Sequence, residues 1–242
     1  GSALVTLHFG YPFLVSLLCG ALLAAIFGVI IGLPTLRLKG DYLAIATLGF
    51  GEIVRIVFLN IELTGGPVGL RGIPKKTTLL WVIVIAIISA FVLYRIIESR
   101  VGRAFIAIRE DETAADSMGI NSTYYKTLCF GVGAFFAGLG GGLLAHYMRY
   151  LHPNTFNFMK SIEHLCMVVL GGLGNMWGAF LGATILTVTP ELLRPVADLR
   201  LLIYGAVLVL MMRVRPQGLL GPSRSGGSSA VKRLYQQLRS KF

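Results

Sequence analysis

Apolar residues in this chain come in long unbroken runs, not in alternation. No residue from Phe9 to Leu36 is charged, and a helix that crosses a bilayer needs about 20 such residues. The run lacks a basic leader and an A-x-A-like cleavage site, so it predicts a tilted span and not a signal peptide. A second run, Tyr42 to Leu59, is interrupted by Glu52 and Arg55 and ends in a polar loop, Asn60 to Thr78. Leu79 to Tyr94, extended by Ile96 and Ile97, predicts a third span. After a charged stretch from Arg95 to Lys126, a fourth runs from Thr127 to Met148. Ile162 to Val214 then holds more apolar length than one helix uses. Gly171, Gly172, Gly174 and Asn175 lie near the middle of Leu165 to Thr189. They predict a half-helix from Ser161, a glycine turn, a second helix to Leu193, and a return crossing over Leu199 to Met212. A helix broken at membrane depth is tolerated only where protein buries it or it lines a cavity, so the four turn residues are pathway candidates.

The predicted fold class is therefore all-α, a polytopic transmembrane helical bundle with a broken or re-entrant helix. Barrel strands would alternate apolar and polar positions. Composition agrees: the chain is 55% hydrophobic and 14% charged, with mean hydropathy +0.75, whereas a soluble domain carries about 25% charged residues. The 30 glycines have no G-X-Y period, which excludes collagen. Gly28 with Gly32, Gly138 with Gly142, and the stripe Gly174, Gly178, Gly182 instead predict close helix contacts. Cys19, Cys129 and Cys166 lie in apolar stretches without redox or ligand spacing and are expected to pack. His8, His146 and His152 share no metal-ligand spacing, so no metal is expected.

A net charge of +11 would suit nucleic acid if it formed a patch. Most basic residues instead sit at the ends of apolar runs, where membrane topology puts them, and Arg224, Lys232, Arg233, Arg239 and Lys241 crowd the tail. Nucleic acid is not an expected partner. With Arg95 to Lys126 taken as cytoplasmic, 14 Lys and Arg fall inside and seven outside, which supports that orientation and a cytoplasmic C-terminus. The chain divides into a lead (1–8), a transmembrane domain (9–222) and a basic, flexible tail (223–242).

Arg103 to Gly119 is too charged for the bilayer, favours helix, and offers Gly119 as a stop. On one continuous helix Phe105, Ile108, Glu112 and Ala115 share a face, which would present Phe105 and Ile108 to a partner groove. A membrane-surface helix would carry an excess of Lys and Arg. Here Glu110, Asp111, Glu112 and Asp116 outweigh Arg103 and Arg109, so a protein partner is favoured over lipid.

Five ordered segments carry a resemblance: GDYLAIATLGFGEIVRI from Gly40, TGGPVGL from Thr64, GRAFIAIREDETAADSMGIN from Gly102, VLGGLGNMWGAFLGA from Val169, and RPQGLLG from Arg215. Through them the chain resembles the inner-membrane permease subunits of ABC importers for branched-chain amino acids, of the LivM type. The resemblance implies that Arg103 to Gly119 is a cytoplasmic coupling helix docking on an ATP-binding subunit. Ala114, Ala115 and Gly119 match the A-A-x-x-x-G part of the importer pattern, with Thr113 in place of its Glu; whether Glu112 or Glu110 faces the partner stays open. It further implies a second related permease, an external binding protein docking near Thr64, Gly65, Gly66 and Pro67, and ATP with Mg²⁺ on partner subunits. No G-x-x-x-x-G-K-[ST] occurs in this sequence, so neither ATP nor any other cofactor is expected on this chain. Family members begin with further spanning helices before the equivalent of Phe9, so the chain is expected to be a truncated permease or a fragment.

Glu52 and Arg55, three apart on one helix, are pathway candidates because ionisable groups at membrane depth are costly. They can equally be a self-neutralising pair, just as Gly-Gly-Pro can be an ordinary turn. Glu163 is accounted for by the helix dipole, and His164 is not read as a ligand. An ion-coupled transporter with Glu52 carrying a proton and a non-transporting scaffold are the rival readings; neither needs a docking helix between the third and fourth spans. Urea, amides and other amino acids remain alternative solutes.

Overall fold

The computed structural model describes residues 1–38, 40–172 and 174–192, with Gly205 and Arg213 besides. The predicted crossing over Leu199 to Met212 and the tail lie outside the described residues. The chain forms two compact units, Gly1–Phe158 and Met159–Phe242.

In the first unit α1 (Ser2–Phe9) precedes α2 (Phe13–Thr35), α3 (Asp41–Asn60), α4 (Leu79–Glu98), α5 (Arg100–Glu110), α6 (Glu112–Ser117) and α7 (Ser122–Met148). The residues read as a lead are thus helical, and the long first run forms one spanning helix, α2. Gly10, at φ 63°, ends α1 in the left-handed conformation, and Pro12, which has no backbone N–H to satisfy, stands just before α2. α2, α3, α4 and α7 are long and apolar enough to cross a membrane, which makes this a multi-pass membrane protein. On α3 and α4 not one spanning residue is buried; side chains such as Ile45, Leu79 and Phe91 are exposed. Such an apolar surface belongs in lipid or against another helix.

α7 packs along α2 through small residues. A Cβ at Gly138 would stand 2.6 Å from the Ala24 Cβ and 2.8 Å from the Ala21 Cα, and one at Gly142 2.6 Å from the Leu17 Cδ1. Hydrogen at these positions lets the helices approach to van der Waals contact, the chief source of helix association in lipid. Leu17, Ala21 and Leu139 are buried at this seam, with Phe135 and Ile85 against them. His146 is fully buried; its Nδ1–H donates to the Gly142 carbonyl at 2.9 Å, and its Nε2 lies 3.0 Å from the Thr6 hydroxyl. It is a satisfied structural histidine that ties α1 to α7. The cysteines differ from expectation: Cys129 is exposed, and Cys19 and Cys166 are half-buried.

In the second unit α8 (Phe158–Gly171), whose first residue ends the first unit, and α9 (Met176–Leu192) form a hairpin. At 1.5 Å per residue, α8 is about 21 Å long, short of a hydrocarbon layer of about 30 Å. The expected break therefore falls where the glycines are. Gly178 meets Gly171, and Gly182 meets the Met167 carbonyl, at distances that leave no space for a Cβ. The stripe thus joins the two short helices to each other.

Candidate functional site

Glu52 and Arg55 pair on α3 as their spacing requires. Arg55 Nε donates to Glu52 Oε1 at 2.9 Å, and Nη2 donates to the same oxygen. A third donor, Nη1, reaches Asn154 Oδ1 at 2.5 Å, a contact across 99 positions of sequence that no local pattern marks. The Arg55 side chain is 23% exposed and that of Glu52 is 44% exposed. The two side chains neutralise each other, and Arg55 also lines a cavity of about 510 Å³.

The polar loop folds as two short 3₁₀ turns, Glu62–Thr64 and Gly66–Val68. Thr64 Oγ1 donates to the Phe58 and Ile61 carbonyls at 3.0 and 2.9 Å, capping the end of α3. Gly65 sits at φ 77°, and a Cβ there would collide with the Gly69 carbonyl oxygen, so both conformation and space demand glycine. The loop is not free-standing. Leu70 and Leu151 exchange backbone hydrogen bonds at 2.8 and 3.0 Å, Tyr150 OH donates to the Val68 carbonyl at 2.9 Å, and His152 Nε2–H donates to the Pro67 carbonyl at 2.9 Å. Asn154 N–H donates to His152 Nδ1 at 3.1 Å, which completes a chain Glu52–Arg55–Asn154–His152–Pro67. Two candidate sites read separately from sequence are therefore joined, and the joining residues, Tyr150 to Asn154, were missed. Pro153 with His152 and Asn154 was the available turn signal.

The charged stretch departs from one continuous helix. Asp111 has φ −156° and ψ 109°, which breaks it into α5 and α6, and its side chain accepts from Ala114 N–H at 3.0 Å. Asp is a preferred N-cap, and one followed by Glu could have been read as a helix start. The break corrects the shared face: Phe105 and Ile108 belong to α5, Glu112 and Ala115 to α6. Phe105 is half-buried, its ring edge-on to Tyr125 of α7 at 6.2 Å, and Ala115 is buried. The exposed apolar side chains are Ile106 and Met118, the latter 82% exposed. Around them lie the exposed Arg103, Arg109, Glu110, Asp111, Ala114 and Gly119, with Arg109 and Glu110 paired at 2.8 Å. α6 is fixed to the start of α7: Lys126 Nζ lies 2.5 Å from Glu112 Oε1, and Ser122 Oγ donates to Asp116 Oδ1 at 2.5 Å. Of the two acids left open, Glu112 is committed to α7, and Glu110 points outward.

In the second unit Gly172 and Gly174 take φ 114° and 86°, and Asn175 Oδ1 accepts from Trp177 N–H at 3.0 Å, capping α9. Gly171 and Asn175 thus have structural duties in the turn. Lys160 pairs with Glu163 at 2.7 Å, and His164 Nδ1 lies 2.7 Å from the Lys160 carbonyl.

The family model described as "Branched-chain amino acid transport system / permease component" matches residues 1–212. The high-affinity branched-chain amino acid transport system permease proteins LivM of Salmonella typhimurium and Escherichia coli K12 are each 38% identical, over 92% of this chain and 60% of their own length. LivH of Salmonella typhimurium is 32% identical over 62% of this chain and 49% of its own. This chain thus spans about 60% of the LivM relatives it matches. No solved structure matches it. Spans, glycine turn and charged interhelical stretch accord with that match, and the chain belongs to the family of permease components of branched-chain amino acid transport systems.

Proposed function

We propose that this chain is a permease subunit of an ABC importer in a bacterial inner membrane, moving branched-chain amino acids inward. The α5–α6 end and the C-terminus face the cytoplasm. ATP, with Mg²⁺, is hydrolysed on partner subunits; a second related permease completes the translocator, and an external binding protein delivers solute at the Thr64–Pro67 loop. No catalytic residue and no cofactor belong to this chain in that scheme. The observation that carries the reading is the attachment of α6 to α7. A solvent-exposed pair of short helices, cross-linked to a spanning helix by Glu112–Lys126 and Asp116–Ser122, passes displacement of a docked ATPase into the membrane. Alternating access follows if the ATPase binds two permease conformations with different affinity in its nucleotide states.

An ion-coupled carrier with Glu52 as its proton site is disfavoured, because Glu52 Oε1 already takes two N–H bonds from Arg55. The test is Ile106→Asp combined with Met118→Asp, which leaves the Phe105–Tyr125 contact in place. The ATP-binding subunit is expected to be lost on purification of the variant from membranes, while the permease keeps its elution volume. Undiminished association would remove the reading.

A further inference from the structure

Two cavities follow one another along α3 and α7. The first, about 510 Å³, extends from the loop residues Thr64 and His152 past Arg55 and Phe50 to Thr47 and Phe130. The second, about 550 Å³, is bounded by Leu38, Leu43, Lys126, Cys129 and the same Phe130. Among the described residues that line them, Phe130 alone is common to both. Its ring lies where Gly32 of α2 carries no side chain: a Cβ there would stand 3.1 Å from Phe130 Cδ1. The first cavity is walled by Val54, Phe58 and Phe156, and among the described side chains that line it Arg55 carries the permanent positive charge. Three of the five N–H bonds of Arg55 go to Glu52 and Asn154; among the described residues the other two have no partner. An apolar pocket of a few hundred Å³ with one fixed guanidinium suits a small ligand with an apolar body and a carboxylate.

We propose that these cavities are the solute route: an amino acid with an apolar side chain rests in the first with its carboxylate on the free N–H groups of Arg55, and Phe130 is the gate to the second. The proposal rests on the permease reading and adds the station and the gate to it. It also places the gate where force arrives. Lys126, the α7 end of the link to α6, precedes Phe130 by four residues, so both lie on one face of the helix. A shift of α6 that drags Lys126 therefore turns the Phe130 ring.

Two glycines of α3 supply the test, because a Cβ at Gly49 or Gly51 meets nothing within 4 Å, and only Gly51 lines the cavity. In membrane vesicles holding the complete transport system, [¹⁴C]leucine uptake is expected to fall at least tenfold with Gly51→Leu and to stay at the wild-type level with Gly49→Leu. Phe130→Ala is expected to let preloaded [¹⁴C]leucine leak out without ATP. Equal uptake by the two glycine variants would overturn the proposal. So would loss of the second permease from Gly51→Leu complexes with uptake per assembled complex unchanged, which would mean that a partner helix fills the cavity. The Ile106→Asp/Met118→Asp variant, run alongside, separates the two levels: if it stops uptake while Gly51→Leu does not, the route fails and the permease reading stands; if neither lowers uptake, both fall.

Discussion

The two ends of α7 are held by different chemistry. At its start side chains do the holding: Asn121 accepts from Tyr124 N–H at 3.0 Å, Asp116 accepts from Ser122, Glu112 pairs with Lys126, and Phe105 meets Tyr125. Past its finish main-chain groups enter every contact: Leu70 and Leu151 exchange backbone hydrogen bonds, and the backbone carbonyls of Pro67 and Val68 accept from the His152 and Tyr150 side chains. Caps and ion pairs can be exchanged without unfolding a helix, which suits a surface that must move with a docked engine. A glycine loop whose shape is fixed by backbone geometry suits a surface that must keep one form for a docking partner.

The backbone-held end should be the easier to break. Gly69 has φ 77° and ψ 165°, a region essentially closed to L side chains that costs on the order of 1–3 kcal/mol to occupy. A Cβ there would also stand 2.5 Å from the Leu151 carbonyl oxygen. Gly69→Ala is expected to abolish amide-exchange protection at Leu70 and Leu151 and to release the Arg55–Asn154 contact. Gly72→Ala is the control: it has φ 81° but open space around its Cβ, so it should show the smaller loss. Equal effects would mean that the bridge is not what shapes the loop.

This difference also decides what was legible in the sequence. The four spans, the glycine turn before Met176 and the Glu52–Arg55 pair rest on runs or on spacing within one helix, and both survive translation into structure. Leu70–Leu151 and Arg55–Asn154 rest on main-chain groups or on partners 81 and 99 positions away, which local pattern does not encode. The α5–α6 break lies between these cases. Asp111 is a recognisable cap, but helical propensity on both sides outweighed it, and the half-buried Phe105, read as facing a partner, also packs against Tyr125.

At the side-chain-held end the next largest effect is expected from that cap. Replacing an Asp N-cap by Ala costs about 1 kcal/mol, and α6 has only six residues from which to recover it. Asp111→Ala should therefore fray α6, read as faster exchange at Ala114 and Ala115 and weaker ATPase association. Asp111→Asn, which keeps the acceptor oxygen, should restore both. If Asn does not rescue, charge and not capping is what the position supplies.

The smallest effect belongs to the link itself. Lys126 and Glu112 are 26% and 35% exposed, so water and salt reach the pair, and exposed pairs contribute roughly 0.2–1 kcal/mol. A double-mutant cycle of Lys126→Gln and Glu112→Gln should give a coupling energy within that range at low ionic strength. At 1 M salt, where the Debye length is about 3 Å, the coupling should shrink toward zero. The Gly69→Ala loss is steric and should not change with salt. If the cycle kept its full value at high salt, Glu112–Lys126 would be bound as tightly as the backbone bridge at the other end of α7. The distinction between a yielding end and a fixed end would then fail.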